Sequence, residues 1–414
     1  MDKLLMLGDD VHTAGIIKRA HEMGFYTILS DNRSVAQSPS KLLADEYWDI
    51  SVKDIDLLET KAGEEGITAV LCGASEVCQS SVRLLCKRLD LPFWVGDKAW
   101  EITNDKSRFK NLCRECGLPV AKEYKLDISF KDEELSKIEY PVVVKPVDSC
   151  SGIGFHVCHD EEELKSGYLD AYEHSEKKSV MVEQYFTGME VSLIYMFYDG
   201  QPRYLASFDS FGDRKRGRLA IFGAEPTICP IKFETIYENS FKKLFAAMEC
   251  REGIGFVQIL YDGNETAVME MNYRLPGSRF FLEGEMIEHV LDSAVLGYTG
   301  DKEETLFVEH QTFIYFVWLK VGKIGRVEGI DRITDEDFFL SMSAPKRVGD
   351  LITENSGMKQ IFSGIVINAQ EDRVPDIIDF INESIIVEDD NGNDMVYRYR
   401  YEDIQPSFFR GKTA

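Results

Sequence analysis

The chain has 414 residues, enough for about two to four domains at roughly 100–200 residues each. Its 47 Lys and Arg against 72 Asp and Glu leave a formal net charge of −25, which repels phosphate backbones and acidic bilayers and excludes nucleic acid and membranes as partners of the surface as a whole. With 44% hydrophobic and 29% charged residues, and no apolar run near the ~20 residues of a bilayer span, the composition is that of a soluble globular protein. The opening stretch, MDKLLMLGDD, has no basic segment ahead of a long apolar one, so no signal peptide is expected and the expected location is cytoplasmic.

Residues 1–96 alternate apolar strands with amphipathic helices. Lys3–Leu7 reads as a buried strand ending at Gly8-Asp9-Asp10, after which Ala14, Ile17, Ala20 and Met23 recur at helical spacing and Gly24 closes the helix. Tyr26–Ser30 is a second strand, and 67–72 a later one ending at Gly73. This rhythm predicts a doubly wound parallel sheet, whose ligands sit beyond the carboxyl ends of the strands, near Gly8, Asp31 and 73–76. A dinucleotide is disfavoured there, because GDDVHTAG lacks the second glycine that lets backbone approach a pyrophosphate. A scaffold domain whose strand ends face another domain is the alternative.

From 97 the pattern changes. A helix through 106–116 ends at Gly117-Leu118-Pro119, a C-terminal glycine followed by a stop proline. Short β segments at 142–144, 155–157, 180–184 and 190–197 read as antiparallel hairpins with turns at 148–154 and 186–189. Segments 255–261 and 266–271 form another hairpin through Asp262-Gly263-Asn264. Beyond 300 the chain is β-rich again, with a helix at Val374–Ser384 and a polar hairpin tip at 389–394.

The nine cysteines are an odd count in scattered positions and do not make a disulfide framework. Cys113 and Cys116 form the one CxxC, and no second pair completes a zinc site, so they read as ordinary helix thiols.

Three clusters carry the chemistry. Val143-Val144-Lys145-Pro146, followed by Ser149-Cys150-Ser151-Gly152-Ile153-Gly154, places a lysine at a strand end before a small-residue loop. Lysine charge and loop N–H groups together can hold phosphates; alone, the pattern is also that of a solvated hairpin turn. Glu183-Gln184-Tyr185-Phe186 and then Glu190 put two carboxylates about a turn whose backbone can meet a purine edge, with Glu190 able to accept from ribose hydroxyls; two exposed strand glutamates would look alike. Glu270, Asn272 and Arg274 alternate on one strand face, with Gln258 across the hairpin, an all-oxygen set that suits Mg²⁺ (or Mn²⁺) and leaves Arg274 for a phosphoryl or acyl oxygen.

In order and spacing these clusters resemble the ATP-grasp superfamily, and in particular its carboxylate–amine (amino-acid) ligases and its three-domain carbamoyl phosphate synthetase and biotin carboxylase-like members. The resemblance implies an α/β architecture. A preATP-grasp doubly wound domain at 1–96 would precede an ATP-grasp domain of two α+β lobes at 97–299, its mobile lobe about 120–185, and a C-terminal β-rich lobe at 300–414. It implies that Lys106 and Lys145 are the nucleotide lysines, with Ser149, Ser151, Gly152 and Gly154 in the flexible glycine-rich loop. Glu183, Gln184, Tyr185 and Phe186 would form the adenine hinge and Glu190 the ribose carboxylate. Gln258, Glu270 and Asn272 take the metal positions, Gln258 standing where the family more often has an acid. The stretch Asn272-Tyr273-Arg274-Leu275-Pro276-Gly277 resembles amino-acid ligases more than biotin carboxylases.

The expected activity is therefore ATP-dependent joining of a small carboxylate to an amine through an acyl phosphate, with Lys145 and Arg274 stabilising charge. A carboxylase or carbamoyl-phosphate-synthetase-like enzyme acting through carboxyphosphate, and a non-catalytic ATP sensor, stay open. The substrate residues are expected to be Arg274, Glu76 at a helix start, and Arg218 at the end of a basic run that either closes over an anion or is a solvated tip. A homodimer is left open.

Overall fold

The computed structural model describes residues 2–149, 152–186, 188–213, 218–277, 289–292, 312–343, 345–353 and 357–404, with the side chains of 218–219, 357–358 and 404 left aside. The first sheet is parallel, in the order Glu46–Trp48, Tyr26–Ser30, Lys3–Leu7, Ala69–Leu71. Alternation along Lys3–Leu7 sends Leu4 and Met6 to one face, against Ile16, Ile17 and Ala20 of the helix Thr13–Glu22. Leu5 and Leu7 go to the other, against Leu58 and Ala62 of Ile55–Glu65 and Val82 and Leu85 of Glu76–Leu89. The sheet is doubly wound, as its rhythm predicts.

The second sheet is antiparallel, in the order Glu123–Tyr124, Val180–Gln184, Val142–Pro146, His156–Cys158. Val142, Val144 and Val182 pack on Leu164, Tyr168 and Ala171 of the helix Glu161–Glu173. The intervening Val143, Lys145 and Glu183 therefore point away from that helix, into a cleft.

The third sheet is the largest, running Thr266–Asn272, Gly253–Tyr261, Met189–Tyr198, Gln201–Asp213, Arg218–Glu225, Thr312–Leu319, Ile361–Asn368, Phe339–Met342. Phe241 and Phe245 of the helix Glu238–Met248 pack on Tyr195 from one side. On the opposite face Gln258 stands across from Glu270 and Phe256 across from Asn272.

One expectation is corrected here. Segments 180–184 and 190–197 are not a hairpin: Val180–Gln184 pairs with Val142–Pro146, and Met189–Tyr198 with Gln201–Asp213 and Gly253–Tyr261, so 186–189 crosses from one sheet to another. In the β-rich end, Leu351–Ile352, Gly322–Glu328 and Ile386–Asp389 form a small sheet of their own, while other strands there extend the central one. Thr312–Leu319 hydrogen-bonds to Arg218–Glu225 and carries Ile361–Asn368 on its other edge, continuing the central sheet. The asparagine–aspartate tip forms as expected, with Asp389 Oδ1 accepting from the Asn391 and Asn393 N–H groups. Among the described residues no helix is long and apolar enough to cross a membrane.

Candidate functional site

The second and third sheets face each other across a cleft, and the first domain closes one end. Its wider part, about 550 Å³, is lined by Glu76, Lys106, Ser149, Glu190, Gln258, Glu270, Asn272 and Arg274, with Trp100 and Phe256 as apolar walls. Its narrow part lies between Val143, Lys145 and Glu183 on one side and Leu260, Val268 and Met269 on the other, with Gln184, Tyr185 and Phe186 at the rim. Apolar walls with a turn's backbone at the edge can take a flat heteroaromatic ring. The Gln184 and Tyr185 N–H groups are already given to the Lys122 and Pro141 carbonyls, at 2.9 and 3.3 Å.

Lys106 and Lys145 reach the cleft by different routes. Asp105 caps the helix Lys106–Glu115 by accepting from Arg108 N, and Lys106 in its first turn donates Nζ to Ser149 O at 2.6 Å and stands 3.7 Å from Glu270 Oε2. Lys145 donates to Glu183 Oε2 at 2.7 Å. The other carboxylate oxygen of Glu183 is met by Lys110, which the sequence reading passed over. Lys110 sits beside Phe109 and Cys113 in an amphipathic helix, where a lysine reads as solvent-facing; in the structure it is 1% exposed. Its i, i+4 spacing from Lys106 was the available signal. Burial first, then the neighbouring Lys145 ammonium, presses the pKa of Lys110 well down. Two lysines thus share one buried carboxylate in the narrow part of the cleft.

In the loop after Lys145, the Ser149 hydroxyl donates to Ile153 O at 3.1 Å. Gly154 adopts a φ of +69°, and a Cβ there would meet Pro146 at 2.9 Å, so the return of the loop requires glycine. Gly152 is also left-handed, at +78°. Ser151 lies outside the described residues, as does the run 214–217. Arg218 is described only as backbone, opposite Asp213.

On the third sheet the polar side chains form one connected row. Gln258 donates Nε2 to Glu190 Oε1 at 2.6 Å, and Asn272 donates Nδ2 to Gln258 Oε1 at 3.0 Å. Arg274 donates Nη2 to Asn272 Oδ1 at 3.3 Å and to Glu76 Oε1 at 3.1 Å, with its guanidinium 5.3 Å from the Phe256 ring. Glu270 stands beside this row. Burial works to raise its carboxyl pKa, but Lys106, Lys145, Arg274 and Lys110 outweigh it and hold the group below the usual carboxylate range. An ionised carboxylate with two amide oxygens beside it is a donor set that fits a hard divalent cation. Among the described residues there is no cluster of three or more His, Cys, Asp or Glu of the kind a softer metal would want. Cys113 and Cys116 are buried, and burial pushes the Cys113 thiol up to about 12.

Comparison with known proteins falls on the same segment. Residues 105–282 match the family described as carbamoyl-phosphate synthase L chain, ATP binding domain. A D-alanine–D-alanine ligase of Halalkalibacterium halodurans is 29% identical over 168 residues, 39% of this chain and 50% of that enzyme. The match thus spans half the length of that curated relative. The whole fold is similar to an L-amino acid ligase from Bacillus licheniformis, with a TM-score of 0.79 at 14% identity over 94% of this chain and 99% of that one. It is also similar to the biotin carboxylase domain of Hydrogenobacter thermophilus 2-oxoglutarate carboxylase, solved as a dimer with MgADP and bicarbonate, with a TM-score of 0.72 at 17% identity over 96% and 91% of the two chains. Residues 105–282 are thus an ATP-binding domain of the ATP-grasp kind.

Proposed function

We propose that this chain is an ADP-forming carboxylate–amine ligase. The observation that carries the reading is the adjacency of a slot in which Lys110 and Lys145 share the Glu183 carboxylate to a wider chamber holding Glu270, Asn272, Arg274 and Glu76. ATP as substrate would lie with its base between Val143 and Leu260, against the turn of Glu183, Gln184, Tyr185 and Phe186, and its phosphates toward Lys145 and Lys106. A carboxylate oxygen then attacks the γ-phosphorus, ADP leaves, and the acyl phosphate loses phosphate to an attacking amine. Both steps need alignment and neutralised charge more than a protein nucleophile. Arg274, held in orientation by Asn272 and Glu76, is placed to stabilise oxygens that gain charge.

Glu270, with Asn272 and Gln258, would hold Mg²⁺, which when bound neutralises phosphate charge. Glu190 is in reach of a ribose, and Glu76 on the far wall of an acceptor ammonium. The 1–96, 97–299 and 300–414 segments are proposed as the functional units, with 120–185 as the moving lobe. Ser149, Ser151, Gly152 and Gly154 are proposed to cover the phosphates, and Arg218 to approach an anionic substrate.

The test is a panel of amino acids and small carboxylates scored for ATP-dependent phosphate release, with product mass. Amino-acid-dependent release with a condensed product is expected. The likeness to a biotin carboxylase fold favours the second reading, a carboxylase, which release dependent on bicarbonate alone would select.

A further inference from the structure

Between Asn272 and Gly277 the chain leaves the third sheet, and its backbone is held there by two buried side chains of the first domain. Gln79, on the helix Glu76–Leu89, donates Nε2 to Tyr273 O at 2.6 Å. His12, at the start of the helix Thr13–Glu22, bonds through Nε2 to Pro276 O, also at 2.6 Å. A carbonyl only accepts, so the imidazole hydrogen sits on Nε2. Gln79 is 4% exposed and His12 fully buried. Burying such groups is costly unless each makes its hydrogen bond, and apolar side chains would join two domains at less cost.

The two captured carbonyls stand on either side of Arg274. Glu76, one helical turn from Gln79 and on the same helix face, meets the Arg274 guanidinium itself. From the sheet side, Tyr273 is anchored by its hydroxyl on Glu252 O and its ring on Phe197. The backbone from 273 to 276 is thus fixed at both ends, and the direction in which Arg274 leaves it is fixed with it.

We propose that Gln79 and His12 are positioning residues for Arg274, and that the first domain is in this way a working part of the active site. The assignment rests on the role given to Arg274 above. His12 lies outside the lining of the cleft and Gln79 is at its wall, but the amide of Gln79 is spent on the Tyr273 carbonyl, so each acts through a peptide carbonyl of the 273–276 segment.

The test is made on the full chain. Gln79→Met keeps length and loses the donor; His12→Leu loses the imidazole; His12→Gln restores an N–H donor at similar reach. Because a small misplacement in a closed site is amplified in the rate, Gln79→Met and His12→Leu are expected to lower kcat by about tenfold to a hundredfold, while KM for ATP stays within about twofold and His12→Gln recovers most of the rate. In an Arg274→Ala background, Gln79→Met should cost less than about twofold more, since the two act as one unit. Unchanged kcat, or a full additional loss in that background, overturns the proposal. Hydrogen exchange over 272–277 gives a readout independent of turnover. Gln79→Met should speed exchange there with the exchange of 26–30 unchanged, and equal exchange over 272–277 overturns the proposal even if no ligase substrate is found. A parent that releases no phosphate with any carboxylate, yet shows that local loosening, sinks the ligase reading and leaves the clamp standing.

Discussion

Lys110 and Glu183 meet inside the cleft between two sheets, and the second oxygen of the same carboxylate is held by Lys145 at 2.7 Å. A buried carboxylate between two lysines keeps both amines aimed into the cleft, with burial and the neighbouring Lys145 pressing the pKa of Lys110 down, so that a phosphate arriving there would favour its charged form. Lys145→Met should weaken ATP binding by about 2–4 kcal/mol, the range of a charge-assisted contact in a closed site. Lys110→Met should weaken it similarly. Glu183→Gln takes the carboxylate from two buried lysines and should destabilise the fold by about 3 kcal/mol or more. Titration calorimetry with ATP and urea unfolding measure the two effects. ATP bound normally by Lys145→Met would remove the phosphates from this end of the cleft.

Glu270 and Gln258 face each other across an antiparallel pair but differ in what they offer a cation. Glu270→Gln replaces the one ionised ligand proposed and should abolish Mg²⁺-dependent turnover while leaving nucleotide-base recognition nearly intact. Gln258→Glu sets a second carboxylate at the 2.6 Å contact now made to Glu190. Without metal that repulsion should lower the melting temperature; with Mg²⁺ the added charge should recover it and lower the Mg²⁺ concentration needed for activity. Thermal melts with and without Mg²⁺ check this, and full activity in Glu270→Gln would end the assignment.

Much of this was legible because it is local. The strands Lys3–Leu7 and Tyr26–Ser30 are short apolar runs ending at turn residues, and the helix Val374–Ser384 shows its apolar face as Ile377, Ile378 and Ile381. The edge strand Glu46–Trp48 went unread because only Trp48 of its three residues is buried, which leaves no alternation to see. Partnership between strands was harder. Val180–Gln184 and Met189–Tyr198 are neighbours in sequence and look like a hairpin, yet each finds better partners in a different sheet. The same non-locality hid Lys110, whose carboxylate partner is far along the chain, and the grip of Gln79 and His12 on 273–276, which depends on one backbone crossing another. Gln258, Glu270, Asn272 and Arg274 were legible as a set because strand alternation alone puts them on one face.

A pH dependence of stability should arise away from the cleft. Asp209 is buried, accepts from the Thr227 hydroxyl, and takes the Ile228 N–H at 2.6 Å. Burial pushes its carboxyl up to about 7, with those hydrogen bonds offsetting only part. Between the unfolded value near 4 and that folded value, the folded chain holds a proton the unfolded chain has lost, so stability falls as pH rises through the window. Asp209→Asn removes this share. Urea unfolding at roughly pH 5 and pH 8 should show the parent losing about 3 kcal/mol more than the variant over that interval, with the variant the more stable of the two at the higher pH. Equal slopes would place the titration elsewhere.

The final prediction concerns the lobe built on Val142–Pro146 and Val180–Gln184. It is docked on the start of the helix Lys106–Glu115 by few and mostly polar contacts: Lys106 N to Val147 O at 3.3 Å, Lys106 Nζ to Ser149 O at 2.6 Å, and Lys177 Nζ to Asp105 Oδ2 at 2.7 Å. Polar contacts of this kind are individually weak when half exposed, as Lys177 is, so this end of the lobe can lift at little cost while the buried Lys110–Glu183 pair holds its other side to the helix. Phosphates bridging Lys145 and Lys106 would tip that balance, and closure would shield an acyl phosphate from water. Saturating Mg-ATP should therefore slow hydrogen exchange across 142–149 and 156–158 while leaving 26–30 unchanged. Lys177→Ala should alter stability by less than about 1 kcal/mol yet speed nucleotide release several-fold, because it removes a contact made only by the docked lobe. Stopped-flow release of a fluorescent ATP analogue measures the rate. Identical exchange with and without nucleotide, together with unchanged release from Lys177→Ala, would mean a rigid and preformed site in which the lobe does not move.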